Sequence, residues 1–163
     1  VQSNIQENLI HIDREIADAL AKTHDDNFYL PEAVLFGIET FIGEPPLIVP
    51  IDKNADVYDM MYSEDAAIAI SCYTKFAVVT CGWASPMEDE ESEENSLPPS
   101  QHPERKRVRL TVFYADGKIN TALTFKGDKE PDLHMGNGDG DLKEAIFDLY
   151  NRSRQYSKRI VND

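Results

Sequence analysis

A nucleophile near a base, at the end of a buried strand, is the usual layout for covalent hydrolysis. One stretch of this sequence offers the parts. Cys81 closes the apolar run Phe76-Ala77-Val78-Val79-Thr80-Cys81 and is followed by Gly82-Trp83. His102, in the loop that follows, has the chemistry to take its proton. Ser100, two residues before His102, is the alternative nucleophile. Neither sits in a Gly-x-Ser-x-Gly elbow. A free cysteine in an apolar run also behaves as a small buried hydrophobe, and that is the reading we prefer for Cys81. Cys81, Ser100 and His102 therefore define a hydrolase as the alternative reading.

A second stretch, Gly136-Asn137-Gly138-Asp139-Gly140, precedes a helical pattern. It is not a phosphate loop, because it brings no Lys and its acids Asp132, Asp139 and Asp141 would repel an anion. Asn137, Asp139 and Asp141 alternate as in the start of a calcium loop. Leu142, however, stands where that loop needs its sixth-position glycine. We read a loop ending in a helix cap and expect no metal and no cofactor. The four histidines are His11, His24, His102 and His134, and none pairs with a second His or Cys at zinc-ligand spacing.

Charge narrows the partners. The 163 residues carry 30 acids against 16 Lys and Arg, a formal net charge of −14. Phosphate recognition needs clustered cations, so free nucleic acid and anionic membrane surfaces are not expected partners. The densest run is Glu88-Asp89-Glu90-Glu91-Ser92-Glu93-Glu94, inside a Pro-rich stretch over 86–104. Loops of that length are functional or disordered. Glu88, Asp89, Glu90, Glu91, Glu93 and Glu94 suit a basic protein partner. The bland alternative is that they fold back on Arg105-Lys106-Arg107 and Arg109. A third reading is a soluble mimic of a nucleic acid's charge.

Two resemblances attach to the same region. Trp83-Ala84-Ser85-Pro86 occupies the place of the His-x-His-Pro turn of JAB/MPN-type metallopeptidases. Both histidine ligands are absent, so such a resemblance implies a catalytically dead copy. Gly82-Trp83-Ala84-Ser85-Pro86, then Pro99 to Arg105, then a hairpin from Val108, also resembles a set of small uncharacterised bacterial and phage proteins. They share a Gly-Trp-Ala-x-Pro segment and a Pro-Ser-x-His-Pro-x-Arg segment. This second resemblance covers Val78 to Phe125 and implies no chemistry; it implies that the loop varies in length between structural ends.

The elements that would position these residues can be read from periodicity. Residues 4–22 form an amphipathic helix, capped by Ser3 with Gln6 and striped by Ile5, Leu9, Ile12, Ile16 and Leu20. A second helix is expected from Pro31, with Val34, Leu35, Ile38, Phe41 and Ile42 on one side and Gly43 as its cap. Leu47-Ile48-Val49 is an edge strand or linker. Over 55–73 the signals conflict, and Ser63-Glu64-Asp65 with three alanines favours a helix. Phe76–Cys81 is a strand buried on both faces.

The hairpin is the clearest element. Asp116-Gly117 is a type I′ turn between Val108–Tyr114 and Ile119–Phe125. The register pairs Tyr114 with Ile119, Val112 with Thr121, Leu110 with Leu123 and Val108 with Phe125. The other face shows Arg109, Thr111, Phe113, Asn120 and Thr124. That half-polar face meets water or a partner, which makes Phe113 a contact candidate. A last helix starts at Asp141 with Glu144, striped by Leu142, Ala145, Ile146, Leu149 and Tyr150. Arg152, Arg154, Lys158 and Arg159 follow as a basic segment.

The expected fold is one α+β domain, a small antiparallel or mixed sheet with about four helices on one face. Two cysteines are too few for a disulfide framework. The N-terminal residues show no signal-peptide pattern, and no stretch approaches the ~20 apolar residues of a membrane span. We therefore expect a soluble protein of the cytoplasm, of a cell or an infected host, with a virion as the alternative location. The leading functional reading is a non-enzymatic binding or accessory protein that acts by protein–protein contact, such as an assembly component or an inhibitor of host machinery. Self-association is compatible with it.

Overall fold

The computed structural model describes residues 2–24, 28, 33–40, 48–50, 56–84, 101, 103–136 and 141–162. Helix α1 spans Gln2–His24, followed by strands β1, Val34–Thr40, and β2, Ile48–Pro50. Two short helices come next, α2 at Val57–Met61 and α3 at Glu64–Ala69. Strands β3 (Tyr73–Ala84), β4 (Lys106–Ala115), β5 (Lys118–Phe125) and β6 (Asp132–Met135) precede helix α4, Asp141–Asn162. The six strands form one sheet in the order β2-β1-β3-β4-β5-β6. Every neighbouring pair is antiparallel. The fold is α+β, as expected.

The hairpin register is the one that the sequence implies: Tyr114 faces Ile119, Val112 faces Thr121, Leu110 faces Leu123 and Val108 faces Phe125. The turn residues Asp116 and Gly117 take positive φ angles of 53° and 77°, which a type I′ turn requires. Strand β3 pairs β4 from Phe76–Tyr114 to Ala84–Lys106, so it lies in the middle of the sheet. Its burial on both faces follows. Phe76 and Val78 belong to one apolar cluster, Ala77 and Val79 to the other.

Those two clusters correct the expectation that helices cover one face. On one side, Met60, Met61, Ala67, Ile70, Ile146 and Leu149 pack on Phe76, Val78, Val112 and Tyr114. On the other, Leu9, Ile16 and Leu20 of α1 pack on Val34, Phe36, Val79 and Phe113. The sheet is therefore sandwiched, α1 against one face and α2, α3 and α4 against the other. A single chain of this length can fill two thin cores because the central stretch Phe76–Val79 is apolar on both faces.

The helix expected over 31–43 is instead β1. Leu35 joins the α4-side cluster while Val34 and Phe36 join the α1 side. Consecutive apolar residues serve a strand buried on both faces as well as they serve a helix. Gly37, buried beside the β-bulge in β1, lies under the ring of Tyr73, and a Cβ there would meet that ring at 2.2 Å. Its lack of a side chain permits that approach. Phe41, Ile42 and Gly43 lie outside the described residues.

Smaller corrections concern ends. Helix α1 opens at Gln2, so Ser3 lies within its first turn. Strand β3 runs from Tyr73 to Ala84, longer than Phe76–Cys81. Helix α4 continues to Asn162, so the basic segment is part of the helix. Helix α2 and strand β6 have no counterpart among the expected elements. The helix expected from Ser63 is present as α3, with the Ser63 hydroxyl accepting from the Ala66 N–H at 3.1 Å. Among the described residues no helix is long and apolar enough to cross a membrane.

Candidate functional site

The hydrolase candidates are not assembled. Cys81 is half-buried on the α1 side of β3 and packs against the core there, opposite Arg109 of β4. Ser100 and His102 lie outside the described residues, as do Glu88, Asp89, Glu90, Glu91, Glu93 and Glu94. Asn137 and Asp139 do too, while Asp141 is an exposed residue at the start of α4. Among the described residues no three His, Cys, Asp or Glu side chains group to hold a metal ion.

The face read as half polar and open is closed. Phe113 is 2% exposed and is core, so it is not available to a partner. Arg109 and Thr111 are buried as well, and α1 supplies what they need. Asp13 accepts from an Arg109 guanidinium nitrogen at 3.1 Å and from the Thr111 hydroxyl at 2.9 Å. The Arg109 guanidinium also stacks on Phe28, 5.0 Å from the ring centroid. Arg109 is thus paired with Asp13 beneath α1. Arg105 and Arg107 instead lie over Trp83, at 4.7 and 4.2 Å from its ring centroid.

The surface with contact chemistry lies on the opposite side, on α2 and α3. Tyr58, Tyr62 and Ile68 are 38, 51 and 49% exposed. Tyr58 and Tyr62 stand four residues apart, one helical turn, and so share a face. The exposed acids Asp56, Asp59, Glu64 and Asp65 surround them in the sequence, and the segment 56–72 contains no Lys or Arg. Three exposed apolar or aromatic side chains thus fall within one acidic stretch of chain.

That surface rests on a stiff base. Asp56 caps α2 by accepting from the Asp59 N–H at 2.8 Å, and Ser63 caps α3. The inward residues Met60, Met61, Ala66, Ala67 and Ile70 are buried against α4. Two arginines of α4 then take up the carbonyls that short helices leave at their C-terminal ends. Arg152 donates to the carbonyls of Ser63, at 2.9 Å, and Met61. Arg154 donates to those of Ile70 at 3.1 Å and Tyr73 at 2.6 Å. Tyr156 donates to Glu64, and Ser157 to the Ser71 carbonyl. Arg152 and Arg154 of the basic segment therefore serve as internal scaffolding for α2 and α3.

Beneath this platform sits one perturbed phenol. Tyr114 stacks on Phe76 at 5.2 Å and lies 4.5 Å from Tyr150, ring centre to ring centre. Burial, and then the nearby Tyr150 phenol, push its pKa up to about 12. Such a group stays neutral at physiological pH.

Tyr58, Tyr62 and Ile68 escaped the sequence reading because 55–73 showed both helical and alternating patterns. The available signal was Asp56, a capping residue three positions before Asp59. The fold defines a class, an antiparallel α+β protein with helices on both sheet faces, here with exposed aromatic and acidic side chains on α2 and α3. No protein-family model, curated protein or solved structure matches the chain significantly.

Proposed function

We propose that this protein is a binding or accessory protein that works by protein–protein contact through the outer face of α2 and α3. The observation that supports this reading is the exposure of Tyr58, Tyr62 and Ile68 within one short, cation-free acidic segment. Tyrosine is enriched at interfaces, because its ring buries area and its hydroxyl tolerates water. The stiff base lowers the ordering cost of binding. The acids favour a basic partner surface and suppress acidic ones. An assembly component and an inhibitor of other machinery both fit this role.

The test is affinity capture from the native source with the wild-type chain and with the Tyr58→Ala/Tyr62→Ala double variant. Both side chains are exposed, so the variant keeps its fold, which a thermal melt checks. Truncating an interface tyrosine at a hot spot costs about 2 kcal/mol or more, roughly thirtyfold in Kd. A protein held by the wild type and lost by the variant supports the reading. Equal capture by both, or no capture at low salt, overturns it.

A further inference from the structure

A groove opens between α1 and the sheet, at the end where β4 turns into β5. Its volume is about 460 Å³. Ligand sites commonly span roughly 300–1,000 Å³. Leu9 and Ile12 of α1, Ile38 of β1 and Phe113 of β4 supply apolar wall and floor. Ile12 and Ile38 also line an adjoining crevice of about 90 Å³ that runs to Phe36. Asn8, Glu39, Lys75, Asp116, Lys118 and Asn120 also line the groove, so the space is part apolar and part polar, and its volume suits a small molecule.

The polar groups lie at the rim, and they are not equivalent. Lys75 is paired with Glu39 at 3.2 Å, so that charge is already matched. Lys118 takes no part in the ion pairs of the described residues. It lies two residues from Asn120 on β5, so both side chains point to one face of the strand. Asn120 faces Phe113 across the strands. Its Oδ1 accepts from the Gly136 N–H at 3.0 Å, which leaves both amide hydrogens of Asn120 to donate. Asp116 lines the groove too, but it forms no ion pair with Lys118 among the described residues, and an ammonium with an amide donor on the same strand face is chemistry that receives a carboxylate.

We propose that this groove binds a small monocarboxylate with an apolar body. The body lies on the half-buried Ile12 and Ile38, with Leu9 and Phe113 buried behind them, and the carboxylate meets Lys118 Nζ and Asn120 Nδ2. The site lies on the α1 side of the sheet, away from α2 and α3, so it stands independently of the contact surface.

Calorimetric titration of the full chain with octanoate, and with octan-1-ol as the uncharged control, tests this. One saturable site for octanoate is expected, with octan-1-ol weaker. Lys118→Met, an exposed substitution that leaves the fold alone, should weaken octanoate about tenfold and leave octan-1-ol unchanged, since a charged hydrogen bond contributes on that scale. Ile38→Trp should fill the groove and abolish both, with a thermal melt confirming the fold. The inference is overturned if the wild type shows no saturable octanoate binding, if Lys118→Met binds octanoate as the wild type does, or if octan-1-ol equals octanoate.

Discussion

Replacing Asp13 with Ala would leave a cation stranded in the core. Asp13 is 2% exposed and Arg109 4%, and Arg109 Nε has no hydrogen-bond partner. The Asp13 carboxylate is therefore the charge that makes Arg109 tolerable beneath α1. Removing one partner of a buried ion pair costs about 3–5 kcal/mol. Thr111, fully buried, loses its acceptor at the same time, which adds roughly 1 kcal/mol. Against a total stability of about 5–15 kcal/mol, the variant should be close to unfolding. At roughly 2–4 °C per kcal/mol for a domain of this size, the melting temperature should fall by about 10–20 °C. Urea unfolding followed by circular dichroism gives the free energy directly. The control is Asp13→Leu with Arg109→Met, which replaces both charges with apolar groups and should recover most of the loss. If Asp13→Ala stays within about 1 kcal/mol of the wild type, Arg109 is reaching water and the reasoning fails. It fails equally if the double variant is no more stable than Asp13→Ala.

Three further predictions concern other buried groups. Thr124 is 6% exposed and its hydroxyl has no partner among the described residues, so Thr124→Val should be neutral or stabilising by up to about 1 kcal/mol, and a loss of stability in urea would show that the hydroxyl is satisfied. Tyr114 is held neutral in the fold, with its pKa raised from 10.0 to about 12. The stability this contributes is complete below the unfolded pKa and is lost as pH climbs through the folded one. Wild-type stability should therefore drop by roughly 2–3 kcal/mol between those values beyond any drop in Tyr114→Phe, and parallel curves would refute the assignment. Cys72 is exposed and Cys81 half-buried, so a mild thiol reagent at neutral pH should label Cys72 quickly and Cys81 slowly. Fast labelling of Cys81 in a Cys72→Ser background would restore it as a nucleophile candidate.

Local chemistry by itself determined the parts of this fold that depend on neighbours in the chain. The hairpin was legible because Asp116-Gly117 dictates positive φ angles and the apolar residues match across the turn only in one register. The start of α3 was legible because Ser63 satisfies an N–H three residues on. The stripes of α1 and α4 were legible because each helix buries a single side. Strand β1 was not, since Val34, Leu35 and Phe36 are apolar for two different cores and a run of apolar residues has no period to read. Pairing with β3, more than thirty residues further on, decides it. The face bearing Arg109, Thr111 and Phe113 looked open because its neutralising group, Asp13, comes from another element 96 residues away in sequence. The same holds for the exposed residues of α2 and α3. Tyr58, Tyr62 and Ile68 are ordinary apolar residues of an ambiguous segment until α4, through Arg152 and Arg154, fixes which side of α2 and α3 faces in. A charge and the group that answers it, or a helix and the arginine that holds its end, meet only when distant segments pack. That meeting is a property of the tertiary structure and has no signature in local spacing.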